Sequence, residues 1–182
     1  MGNNAMSKRT FPEPVATGLS EMDVQNFGEF VFDRLKLGLG FDIFEVVAKL
    51  GGRIHRLGIT ELNHVEKETG TINVHKDRSF DIYLPGPEEL SLNATRYLIA
   101  HELGHFFLHA EKGKELAASF SGKTWADKEA DWFAEGFLMP TKKFREEMEK
   151  EAVSIHELSK LFKVSEYYIQ KKAKEIRNAS KG

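Results

Sequence analysis

The sequence predicts an α+β fold, with a small three-stranded sheet packed on one central helix and further helices before and after it. Three observations predict it. Apolar residues recur at helical spacing near both ends of the chain, and short alternating runs cluster between residues 53 and 84. A long apolar-sided segment follows, from about 92 to 111, too long to be a strand. With 182 residues, 41% hydrophobic and 30% charged, the chain suits a soluble globular protein with enough residues for a core.

Each element follows from local chemistry. Residues 1–19 contain Pro12, Pro14 and Gly18 with little periodicity, and are expected to form a flexible lead-in. Ser20 with Asp23 offers a cap, after which Val24, Phe27, Val31 and Leu35 recur at helical spacing until Gly38 and Gly40. Asp42 can cap a second helix carrying Phe44, Val47 and Leu50, stopped by Gly51 and Gly52. Strands are expected at 53–59, 70–75 and 80–84, where Ile72 and Val74 alternate with Thr71 and Asn73, and Pro85, Gly86 and Pro87 close the sheet. The central helix starts at a cap from Ser91 or Asn93. Residues 112–124 hold two glycines and several small residues, and predict a mobile loop. A helix at 125–138 ends at Pro140, and another begins near Thr141. Ser154 and Glu157 make a capping box for a short helix, followed by a turn and a last helix with Tyr168, Ile169, Ala173 and Ile176. The expected division is a lead-in at 1–19, a main domain at 20–152 and a C-terminal helical appendage at 153–182 with a helix-turn-helix outline.

Composition excludes several function classes. There is no cysteine, so disulfides, cysteine nucleophiles and cysteine-ligated zinc are ruled out, and a reducing cytoplasm is the expected compartment. No apolar run approaches the ~20 residues of a membrane span, and the N-terminus lacks a signal-peptide apolar core. The net charge of −2 selects neither nucleic acid nor anionic membrane. The charge is uneven, however. Residues 81–138 carry 5 Lys/Arg against 10 Asp/Glu, and residues 139–182 carry 11 against 7.

The most specific signal is His101-Glu102-Leu103-Gly104-His105. Seven histidines and the glutamates scattered at random would give this spacing in roughly three chains per hundred, so context has to support it. Leu98, Ile99, Leu103, Phe106, Phe107 and Leu108 supply the apolar surroundings of a buried helix. Two imidazoles four residues apart share one helical face and can grip a single Zn²⁺. Glu102, beside the first of them, can take a proton from a water that the ion acidifies.

A zinc site needs a third protein ligand. His109 lies about 12 Å along the axis from His101, too far for one ion on a continuous helix. The better source is the helix at 125–138, whose apolar face is Ala130, Phe133, Ala134, Phe137 and Leu138. Asp127 and Asp131 fall on or beside that face, whereas Glu129 and Glu135 suit a solvated one. Asp127 is the favoured ligand and Glu129 the alternative. Asp131 would accept the spare ring N–H of a histidine ligand. Gly104, Ala130 and Ala134 are small enough for the two helices to approach closely. Candidates for a donor to a developing oxyanion are Tyr97, one turn before His101, and also Tyr83 and His109.

These blocks resemble the ImmA/IrrE metallopeptidases: His101 to His109, then Glu129-Ala130-Asp131-Trp132-Phe133-Ala134 and Phe137-Leu138-Met139-Pro140, with Arg96 in the lead-in. The resemblance implies a zincin-like domain with a gluzincin-like site, in which two histidines and an acidic residue hold zinc. In many members the acidic ligand is glutamate at the position held here by Asp127. Members are often encoded by mobile elements or stress-response loci, and several cut a transcriptional repressor. A zinc endopeptidase with Glu102 as general base, acting on a protein or peptide substrate such as a repressor, is therefore expected. The strand at 80–84 could pair with an extended substrate.

Two other readings stand beside it. The C-terminal helices carry Lys160, Lys163, Lys171, Lys172, Lys174 and Arg177, as a DNA-binding or protein-docking module would. Glu157, Glu166 and Glu175 dilute that patch, and a hairpin packed on the main domain is preferred. A metal-binding regulator that does not cleave is the third reading.

Overall fold

The computed structural model describes residues 11–56, 70–86, 90–119 and 122–179. Capping side chains start most of its helices. The Ser20 hydroxyl accepts from the Asp23 N–H to open α1 (Glu21–Arg34), and the Asp42 carboxylate accepts from Phe44 and Glu45 to open α2 (Ile43–Lys49). Ser91, the first of the two expected caps, opens the central helix α3 (Leu92–Leu108). Capping boxes at Thr124 and Ser154 open α4 (Trp125–Leu138) and α6 (Ile155–Phe162). Between them lies α5 (Thr141–Met148), and α7 (Glu166–Ala179) is the last helix.

The α+β class stands, but among the described residues the sheet has four strands and not three. They are β1 (Gly52–Arg56), β2 (Thr71–Val74), β3 (Phe80–Leu84) and β4 (Leu116–Ser119), in the order β1-β3-β2-β4. β1 runs parallel to β3, and the other pairs are antiparallel, with Ile54 and Ile72 both beside Ile82 and Ile72 beside Ala118. β4 falls inside the segment expected to be a loop. Its small residues carry little strand propensity, and its place comes from the ladder with β2, which buries Leu116 and Ala118 and turns Ala117 and Ser119 outward. The sheet order brings a second correction. β3 is bonded on both sides, so it cannot pair with a substrate, and among the described residues the edges are β1 and β4. Of the run expected at 53–59, residues 57–59 lie outside the described residues, as does Pro87.

One face of the sheet packs on α3, with Phe80 against Phe106 at 4.5 Å between ring centroids. The other side of α3 packs on α4, which is sandwiched in turn against α1. Glycines set both spacings. A Cβ on Gly104 would lie 2.8 Å from the Ala130 Cα, and one on Gly136 would run into the Gln25 carbonyl of α1. Double-sided packing also corrects the expectation for the acids of α4: Glu129 and Glu135 are both buried. Burial pushes the Glu135 carboxyl up, an effect only partly offset by its ion pair with Lys171. Lys172 is buried too, beside Gln25. Two members of the C-terminal basic set therefore face the body of the protein, and Tyr168 stacks on Tyr97 with 3.9 Å between ring centroids.

The far face of the sheet holds a polar cluster. Asp81 accepts from Arg53 Nε at 2.9 Å and lies 2.7 Å from both His55 Nε2 and His75 Nε2. Burial alone would raise its pKa, but the hydrogen bonds from His75, His55 and Arg53 outweigh that and hold it at about 2. The folded value lies below the unfolded one, so the stabilisation is complete above about pH 4 and is lost as pH falls toward 2. Asp81→Asn is expected to lower stability by about 2 kcal/mol at neutral pH, with the gap to the wild type narrowing between pH 4 and 2 in urea melts.

Candidate metal centre

Because α3 is a continuous helix, His101 and His105 project from one face a turn apart, and that face meets α4. Their Nε2 atoms are 3.1 Å apart. Asp127 closes the group, with Oδ1 3.5 Å from His105 Nε2. All three side chains are buried, and ligand atoms of the three lie within 4.8 Å of one another. Asp127 is held by its place in the capping box. Its N–H donates to Thr124 Oγ1, and its Oδ2 accepts from the Lys123 and Thr124 N–H groups at 3.2 Å each.

The outer partners determine which ring nitrogens carry protons. His101 Nδ1 lies 2.9 Å from Asp131 Oδ1, and a carboxylate only accepts, so Nδ1 is the donor; in the neutral ring that tautomer leaves the Nε2 lone pair for a cation. A longer chain orders His105. Glu129 Oε2 faces His109 Nε2 at 2.9 Å, and His109 Nδ1 faces His105 Nδ1 at 3.0 Å. Burial would push Glu129 up, but His109, Thr17 and Gly18 donate to it and hold its pKa below the usual range. It therefore accepts from His109. Burial lowers the pKa of His109 and takes that of His105 to about 4, so both rings are neutral at pH 7. The His109 Nδ1 must then accept from His105 Nδ1–H, which leaves the His105 Nε2 as a lone pair.

Two imidazole nitrogens and a carboxylate thus converge, a donor set that suits a divalent cation. A tetrahedral zinc ion about 2.0–2.1 Å from each nitrogen would hold the two roughly 3.3 Å apart, close to the spacing seen. Beside them, both carboxylate oxygens of Glu102 are buried with no hydrogen-bond partner among the described residues. Burial and the nearby Asp127 raise its pKa well above the ordinary value. Glycine at position 70 makes room for it, since a Cβ there would lie 2.7 Å from Glu102 Oε1. The residues present therefore fit a divalent ion with a water next to Glu102.

Of the other expected site residues, some lie beside this group and Tyr83 does not. Glu129 turns away from it and accepts from the Thr17 N–H, the Thr17 hydroxyl and the Gly18 N–H at 2.8, 2.9 and 2.8 Å. The Tyr97 hydroxyl reaches toward Asp131 Oδ1 at 3.5 Å, and burial first, then Asp131, raise its pKa, so it stays a donor. Tyr83 lies on the far face of the sheet, stacked on His55. Arg96 is buried over the Phe41 ring and donates to the Phe41 carbonyl. Sequence reasoning missed the anchor at Thr17 and Gly18 and the role of Gly70. The only signal for Gly70 was a glycine just before an alternating run.

Residues 85–174 match the family model of the IrrE N-terminal-like domain, a peptidase family. No curated protein matches the chain.

The geometry separates the two acids of α4 in the test. Asp127→Ala is expected to abolish stoichiometric zinc binding. Glu129→Gln, which disturbs the partner of a ligand's partner and the anchor at Thr17 and Gly18, should weaken it about 10–100-fold. Competition titration of purified protein against a zinc chelator measures both.

Proposed function

Because the chain belongs to the ImmA/IrrE family of metallopeptidases, we propose that it is a zinc-dependent endopeptidase that cuts a regulatory protein such as a transcriptional repressor. The observation that carries this reading is the convergence of His101, His105 and Asp127 beside the unpartnered carboxylate of Glu102. In this reading the fold is zincin-like, with 20–152 as the peptidase domain, 1–19 as a lead-in and 153–182 as an appendage. Lack of cysteine suits work in a reducing cytoplasm. Among the described residues no helix is long and apolar enough to cross a membrane.

His101, His105 and Asp127 would hold the ion, with Asp131 and the His109–Glu129 pair fixing the two rings. Zinc, when bound, polarises the substrate carbonyl and acidifies a water. Glu102 would take a proton from a water at its carboxylate as the water oxygen bonds to the substrate carbonyl carbon, and pass it to the amine nitrogen as the C–N bond breaks. Its burial favours the protonated form, so the proton is kept for the leaving group and not lost to solvent. Tyr97, kept protonated at the edge of the site, is the donor proposed for the oxyanion. Substrate pairing moves from β3 to an edge strand.

Two substitutions test the reading. Glu102→Gln should retain one zinc per chain and lose at least about a hundredfold in kcat on a repressor substrate. Gly70→Ala should also retain zinc but cut activity by pushing the Glu102 carboxylate aside. Undiminished cleavage by Glu102→Gln would refute the mechanism, and metal loss in that variant would mean that Glu102 is itself a ligand.

A further inference from the structure

We propose that the segment from Phe11 to Gly18 is a built-in occupant of the peptide-binding edge, an internal competitor that a substrate must displace; this rests on the peptidase reading above. β4 is an edge strand, and edge strands recruit extended chains. Here the outward Ala117 N–H donates to the Pro12 carbonyl at 3.0 Å. The segment then runs beside the candidate metal centre. On one side it bounds a cavity of about 350 Å³, with Phe11, Glu13 and Pro14 facing Ser119, Thr124 and Asp127. On the other, Pro12 and Val15 help to close a second cavity of about 380 Å³ that reaches His109 and Leu116. One cavity touches a candidate ligand and the other touches the partner of a ligand.

The segment's composition suits a placeholder. Pro12 and Pro14 fix φ and remove two N–H groups, so the chain stays extended at little entropic cost. It can accept from β4 at those positions but cannot donate there. A peptide without prolines can do both, and so can replace it. Both ends are held. The Phe11 ring meets His75 edge-on at 6.4 Å, and Thr17 and Gly18 bind Glu129. Gly18, at φ +75°, turns the chain directly into α1, so the tether is short and the effective concentration high. No residue from 11 to 18 belongs to the buried core, so the segment can leave without opening it.

The test uses the full zinc-loaded chain with Phe11→Ser, Pro12→Gly and Pro14→Gly combined, which leaves Thr17, Gly18 and the metal centre untouched. In a Glu102→Gln background, a fluorescein-labelled peptide with the sequence of residues 11–18 should bind the substituted chain at least tenfold more tightly than the unsubstituted one. Hydrogen exchange at the Ala117 amide should be at least tenfold faster in the substituted chain. With Glu102 present, unfolded β-casein should be cut with KM lowered at least threefold and kcat unchanged. Equal peptide affinity and equal Ala117 exchange in the two chains overturn the proposal, even if both cut casein. Tighter peptide binding with no cleavage by either chain supports the occupancy and counts against the peptidase reading.

Discussion

The candidate metal centre depends on how closely α3 and α4 approach each other. Aspartate is one methylene shorter than glutamate, so Asp127 faces the histidines only because Gly104 lets the Ala130 backbone come almost into contact. The approach is fixed from behind as well. Gly28 and Gly136 seat α4 against α1 with backbone meeting backbone at those two points. Three helices are thus stacked at backbone contact, and close packing makes such spacings resistant to small adjustments.

The same closeness explains why so many ionisable groups can be buried together. The two histidines of α3 and His109 at its C-terminal cap each face a different acid of α4: His101 meets Asp131, His105 meets Asp127 and His109 meets Glu129. A buried charge without a partner is costly, and here each carboxylate that faces an imidazole has other donors as well or is partly solvated. Glu102 is the exception among these acids, and an exception of that kind is typical of groups kept for chemistry.

Much of this was legible in the sequence. Ser20, Asp42 and the capping box at Ser154 and Glu157 announced helix starts, and the His-Glu-x-x-His spacing with its apolar flanks announced a buried helix that points two imidazoles one way. Asp127 could be reasoned to the side of α4 that faces His105 because one apolar face defines a wheel. The wheel failed for Glu129 and Glu135 for a physical reason: it assumes one buried face, and α4 is buried on two. β4 was hidden because Ala117 and Ala118 carry little strand preference, and only the distant β2 supplies its ladder. The contact between Thr17 and Glu129 spans more than a hundred residues, a separation that local pattern cannot see.

Asp127 has two tasks. One oxygen receives the N–H groups that begin α4, and the other faces the imidazoles. A cation drawn to the second oxygen would therefore also stiffen the carboxylate that seals the helix's opening turn. On the proposed reading, loading the ion and finishing the fold would be a single event, since one carboxylate would serve both the cation and the opening turn of α4.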